Sequence, residues 1–183
     1  MSERKYALFG VAGPLIAYFF ITVSIVLSPW FSWSYNALSD LGHAVNSDVA
    51  PLFNFGLLLA GFFLIIYSIT AFRKHAKYAS YCLLISALLL QLVATFNELY
   101  GSLHFYVSVL FFVSLGFASL VYTVERKSAA ALTAFMIGLG SGILYSTEIY
   151  SAGIAVPETI SSLAAISWIM LSAFGIFFGK SNL

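Results

Sequence analysis

Residues 51–77 read PLFNFGLLLAGFFLIIYSITAFRKHAK: a proline, a long uncharged apolar run, and a basic cluster. The run over residues 52–72 is long enough to cross a bilayer as a helix, which takes about 20 mostly apolar residues. Pro51 falls in the first turn, where its missing N–H costs no helical hydrogen bond. The basic side chains that follow mark an end that stays in water. This stretch predicts a transmembrane helix.

Apolar runs of the same kind recur along the whole chain. Hydrophobic residues make up 61% of the 183 residues and charged residues only 8%, against about 25% charged in soluble domains. This composition argues against a soluble enzyme, a nucleic-acid-binding protein or a disordered chain. The runs are continuously apolar and do not alternate with period two, which favours helices over a barrel. The other five predicted spans cover residues 6–27, 78–96, 103–124, 129–149 and 158–178.

The predicted fold class is therefore all-α: an integral membrane six-helix transmembrane bundle that forms a single domain over residues 1–183. Small residues at helical spacing predict where its helices approach closely, namely Gly56 with Ala60 and Gly138 with Gly142.

The basic residues fix the predicted orientation of this bundle. With six spans, all eight of them fall on one side of the membrane, and the opposite side has none. Because basic connections stay in the cytoplasm, we expect a cell-membrane protein with both termini cytoplasmic. The eight residues are Arg4, Lys5, Arg73, Lys74, Lys77, Arg126, Lys127 and Lys180.

The one sizeable connection is loop one, residues 28–50, on the extracytoplasmic side. It begins with an aromatic cluster that suits the headgroup level. Leu38 and Leu41 recur at helical spacing, which predicts a short interfacial helix within residues 36–45 with both leucines on its buried side.

Polar side chains gather on the same outer side. Glu98 ends the third span and His104 begins the fourth, so the short connection makes this acid and this imidazole neighbours. Charged groups near the bilayer favour facing inward and finding partners. The sequence predicts a composite ligand-binding site from Asp40, His43, Asn54, Glu98, His104 and Glu148.

Three interpretations of this cluster stay open. The first is a structural hydrogen-bonded network that ties loop one to the bundle. The second is a divalent metal site with His43, His104 and Glu98 as candidate ligands, although no cofactor is required by the sequence. The third is acid–base catalysis on a lipid headgroup, with Asp40, His43, Glu98 and His104 as candidate catalytic residues. Ser39 is then a conceivable nucleophile without a recognisable motif around it.

Two stretches resemble a known family. They are residues 36–43 (NALSDLGH) with 51–56 (PLFNFG), and residues 96–98 (FNE) with His104. The chain resembles the six-helix membrane family catalogued as domain of unknown function 998, and is more distantly similar to the FRAG–DRAM–Sfk group. By position, the family's Ser-Asp-x-Gly element falls on Ser39, Asp40 and Gly42. Its Phe-Pro-acid pattern falls on residues 96–98, with Asn97 in place of proline.

The resemblance implies a function only through the distant group, whose members are associated with lipid remodelling or lipid distribution. The predicted function is lipid handling or lipid sensing through the outer polar site. The alternatives are a lipid-modifying enzyme of hydrolase or acyl-transfer type, and a structural subunit. The expected partner is membrane lipid and not nucleic acid, within a homo-oligomer or a larger membrane complex.

Overall fold

The computed structural model describes residues 3–149 and 151–179, and every regular element within those ranges is helical. Six of its helices are long and apolar enough to cross a membrane, which confirms the predicted fold class, and their bounds lie within three residues of the predicted runs. Lys180, one of the eight basic residues, lies outside the described residues. The six helices are α1 (Arg4–Val26), α2 (Ala50–His75), α3 (Lys77–Thr95), α4 (Ser102–Arg126), α5 (Ala129–Ser146) and α6 (Ala155–Phe178).

The helices begin and end where local chemistry dictates. Pro51 sits in the first turn of α2. The side chain of Ser128 accepts a hydrogen bond from the amide of Ala131 and caps α5. Gly179 ends α6 in the left-handed conformation at φ 71°, which glycine adopts without steric cost. Near its C-terminal end, α2 widens into a π-helical turn, Ser68–Phe72.

Each helix packs on its neighbour in the chain, and α6 returns to contact α1 and close the bundle. The pairs α1–α2 and α2–α3 are close because glycines carry the contacts. A Cβ added at Gly56 would overlap Cβ of Phe20, and one added at Gly61 would lie 2.6 Å from Cγ of Gln91. The close approach predicted at Gly56 is confirmed.

The glycines of α5 behave differently. A Cβ added at Gly142 would meet no atom within 4 Å, and one added at Gly138 would be 3.7 Å from Ser161. The predicted helix contact is present at Gly138, whose carbonyl accepts a 3.4 Å hydrogen bond from the Ser161 hydroxyl of α6, and is absent at Gly142. Gly142 instead leaves space between α4, α5 and α6.

Loop one contains the predicted short helix as a 3-10 helix, Leu38–Gly42. Leu38 is 7% exposed and Leu41 is fully buried, so the predicted buried side is confirmed. This loop-one helix lies against the ends of α2 and α6 that border loop one, which we call the outer ends of the helices.

Candidate functional site

A cavity of about 700 Å³ lies between α4, α5 and α6, beneath loop one. Its volume is in the range of about 300–1,000 Å³ that ligand sites usually have. The residues that line it recur every three or four positions, because one face of each helix borders the space. On α4 the lining runs from His104 to Ser119, a length of about 22 Å along the helix. The cavity is therefore deep, and it follows the direction of the spans.

The outer end of this cavity is polar, and its remainder is mostly apolar. The polar groups at or near loop one are Ser39, Glu98, His104, Ser108, Glu158 and Ser161. The apolar walls below them include Phe112, Leu115, Phe135, Leu139 and Ala165.

Glu98 and His104 form the centre of the polar end, as their sequence spacing predicts. His104 Nε2 lies 3.0 Å from Glu98 Oε2 and 3.2 Å from the hydroxyl of Ser108. His104 Nδ1 donates to the carbonyl of Phe96 at 2.7 Å, since that oxygen can only accept.

The turn that carries Glu98 begins at Asn97, where the family pattern has proline. Asn97 has φ −64°, the value that a proline ring would fix. Its side chain accepts a hydrogen bond from the amide of Leu99. Asparagine thus preserves the backbone that proline favours and adds a cap to the turn.

The environment of Glu98 favours its ionised form. The neighbouring His104 imidazole, assisted by the Ser39 hydroxyl, holds the pKa of the Glu98 carboxyl below its usual range, although partial burial opposes this shift. Glu98 thus connects the loop-one helix to α4.

Glu158, in the first turns of α6, is a site residue that the sequence prediction left out. Its Oε2 accepts a 2.7 Å hydrogen bond from the backbone amide of Leu38 in the loop-one helix. The side chain borders the cavity, as do Ser39 and Glu98. A signal existed in the sequence: Glu158 is the one acid in an otherwise apolar span and lies at the same outer level as His104.

Four predicted residues are placed elsewhere. Asp40 Oδ2 accepts hydrogen bonds from the Asn36 side chain and the Ala37 amide, and so caps its own helix. His43 Nδ1 accepts from the amides at 45 and 46 within loop one. Asn54 donates to the carbonyl of Gly42, which fastens the loop to α2. Glu148 is exposed in the α5–α6 connection. The structure gives these four no place on the cavity wall.

The arrangement also bears on the metal and catalytic interpretations. Among residues 3–149 and 151–179, no group of three or more His, Cys, Asp or Glu side chains lies close enough to hold a metal ion. Glu98, and not His104, is the group beside Ser39. An activated serine needs its base at hydrogen-bonding distance and a third group behind that base, whereas here the carboxylate stands between serine and imidazole.

Comparison with known proteins gives one match. The model of a family described as "Protein of unknown function (DUF998)" matches residues 11–175, which include all of the polar end. No curated protein and no solved structure matches the chain. The more distant similarity to the FRAG–DRAM–Sfk group is not confirmed and stays a prediction.

Proposed function

The chain belongs to the DUF998 family of proteins of unknown function, and we propose that this multi-pass membrane protein binds a membrane lipid inside its bundle. The single observation that carries the proposal is the cavity between α4, α5 and α6, which is polar at its outer end and apolar along its length. A lipid has the same division between a head and a chain.

The dimensions of the cavity support this match. The head would lie among Ser39, Glu98 and Glu158, and the chain would follow the apolar faces of α4 and α5. Burial of apolar surface would supply most of the affinity, at roughly 25 cal/mol per Å². The few polar groups at the outer end would fix the orientation of the lipid and discriminate between heads.

The orientation of the bundle belongs to the same proposal. We place the polar end at the extracytoplasmic face, because the basic residues in the first turn of α1 and at the junction of α2 and α3 lie at the other end of the helices. The lipid would then come from the outer leaflet of the cell membrane.

Gly142 and Gly140 provide a matched pair of variants for testing lipid binding. Both are in α5, and a Cβ at either position meets nothing within 4 Å, but only Gly142 borders the cavity. Gly142→Leu would fill the cavity, and Gly140→Leu would not. Leucine is a better helix former than glycine, so neither change weakens α5 itself.

The experiment uses the chain in vesicles with single-chain lipids that carry a photoactivatable diazirine in the chain and either a hydroxyl or a sulfonate head. We expect at least one probe to label cavity residues such as Phe112 and Phe135. Labelling should fall about tenfold in Gly142→Leu, equivalent to about 1.4 kcal/mol, and stay unchanged in Gly140→Leu. Labelling of the exposed Phe62 and Phe117 at the same density as the cavity, with both variants alike, would contradict lipid binding.

A further inference from the structure

The polar end of the cavity carries more acidic than basic side chains. Two acidic residues, Glu98 and Glu158, border it, and the described lining contains no lysine or arginine. The described basic residues lie at the opposite ends of the helices: in the first turn of α1, at the junction of α2 and α3, and where α4 ends. Among the described lining residues, the one basic group is the His104 imidazole, whose Nε2 lies 3.0 Å from Glu98 Oε2.

His104 has no free N–H to offer a ligand. Nδ1 donates to the Phe96 carbonyl, and Nε2 forms its hydrogen bond with the Ser108 hydroxyl. Turning the ring toward a new acceptor would break the 2.7 Å bond to Phe96 and leave a backbone carbonyl near the bilayer without its donor.

An acceptor, by contrast, is available. Glu98 Oε2 is buried and has no aligned hydrogen-bond partner, although His104 Nε2 is 3.0 Å away. A buried carboxylate oxygen without a donor is costly, and most such oxygens in proteins are paired. The oxygen belongs to a residue of the cavity wall, so a group in the cavity can supply the missing donor.

We propose that the bound lipid has a head that donates hydrogen bonds and carries no negative charge, that is, a hydroxyl or an ammonium group. Its donor satisfies Glu98 Oε2, with Ser39 beside it. An anionic head meets the Glu98 carboxylate and a lining without lysine or arginine, so it is disfavoured by repulsion and by lost solvation. This inference rests on the proposed function, because it specifies the ligand of the same cavity.

The test measures binding of four probes to the full-length protein in neutral detergent. All four have the same hexadecyl chain and differ only in the head group: hexadecanol, hexadecylammonium, hexadecyl sulfonate and hexadecyl phosphate. Binding is measured by competition against the photoactivatable hydroxyl or sulfonate lipid, whichever labels the protein. We expect hexadecanol and hexadecylammonium to bind about tenfold tighter than either anion.

The outcomes separate the two proposals. Equal binding of all four heads, or tighter binding of an anion, overturns the inference about the head and leaves lipid binding intact. Absence of binding by all four, with no labelling of the cavity, overturns the proposed function itself.

A variant of the protein tests the same inference with the same two probes, so that differences in probe solubility cancel. Glu98→Gln replaces the acceptor with a side chain that also donates, so the preference for hexadecanol over hexadecyl sulfonate should fall about tenfold. Glu148→Gln, on an exposed residue of the same outer side, should leave that preference unchanged. If both variants keep the wild-type preference, Glu98 does not select the head and the inference is wrong.

Discussion

The backbone amide of Leu38 donates a 2.7 Å hydrogen bond to Oε2 of Glu158, a residue 120 positions further along the chain. Two backbone bonds reinforce this link: the amide of Gly153 donates to Trp33 and the amide of Ala155 donates to Asn36. Together they hold loop one on the outer end of α6. Because Ala37 and Ser39 border the cavity, the same bonds fix its outer wall.

Removing the acceptor should loosen this wall. Glu158→Ala leaves the Leu38 amide without its partner, and we expect the free energy of unfolding to fall by about 1–3 kcal/mol. Glu158→Gln keeps an acceptor oxygen and should cost less than Glu158→Ala. Reversible unfolding in detergent measures both.

The control for these variants is Glu148→Ala, which removes an exposed carboxylate from the same side and should stay within about 0.5 kcal/mol of wild type. Equal stabilities of Glu158→Ala and Glu148→Ala would show that the Leu38–Glu158 bond does not hold the loop.

Gly153 is a second point at which loop one depends on a single residue. A Cβ there would lie 2.6 Å from the carbonyl oxygen of Asn36 and 2.9 Å from that of Trp33. Backbone atoms cannot yield as the tip of a side chain does, so Gly153→Ala should cost about 1–3 kcal/mol of unfolding free energy. It should also make loop one more susceptible to proteolysis.

The matched control is Gly140→Ala. It adds the same methyl group in open space, and we expect no loss of stability, because alanine is the better helix former. A Gly153→Ala protein as stable as the Gly140→Ala protein would contradict the contact between loop one and the α5–α6 connection.

Local pattern was enough to predict the six spans, the loop-one helix and the Glu98–His104 pair. Each depends on a run of apolar residues, on helical spacing such as that of Leu38 and Leu41, or on a short connection. These signals lie within a few residues of one another, so periodicity and loop length reveal them.

Local pattern did not predict the role of Glu158 or the position of the cavity between α4, α5 and α6. The partner of Glu158 is an amide in loop one, and no local pattern records a contact over that separation. Gly138 and Gly142 have the spacing of a packing motif, yet whether a neighbour fills the space depends on how α4 and α6 are placed by the rest of the bundle. Asp40 and His43 were predicted as site residues because their chemistry is reactive, but loop one uses both for its own hydrogen bonds.

The pKa of Glu98 predicts how stability responds to acid. It is lowered in the folded protein, mainly by His104, so folding favours the ionised carboxylate. The stabilisation is fully present above the unfolded pKa of about 4.3 and is lost as pH falls through the lower folded value. The loss of stability should be small, because the Glu98 side chain is 33% exposed and solvent screens its interaction with His104.

The measurement compares the unfolding free energies of wild type and Glu98→Gln at about pH 6 and about pH 3.5. The advantage of wild type should shrink at the lower pH, since glutamine does not titrate. An advantage that grows toward acid would mean that the folded state prefers the protonated carboxyl, contrary to the direction stated.

Orientation can be tested with single cysteines in a Cys82→Ser background. Lys77 is exposed at the start of α3, and Val45 is 72% exposed in loop one. Because the basic connections are expected in the cytoplasm, a membrane-impermeant maleimide should label Val45→Cys in intact cells and Lys77→Cys only after permeabilisation. Labelling of Lys77→Cys in intact cells, with Val45→Cys protected, would reverse the proposed orientation.

The contact between Glu98 and His104 should appear as an energetic coupling. His104→Ala removes the donor to the Phe96 carbonyl and the imidazole beside Glu98, and should cost about 1–3 kcal/mol of unfolding free energy. Once Glu98→Gln has removed the carboxylate, part of that loss has already occurred, so the double variant should lose less than the sum of the single variants, by about 0.5–3 kcal/mol. His104→Ala with Glu148→Gln should be additive within about 0.5 kcal/mol, because Glu148 lies outside the cluster. If the effects of His104→Ala and Glu98→Gln are also additive, the 3.0 Å contact between the two side chains contributes nothing to folding.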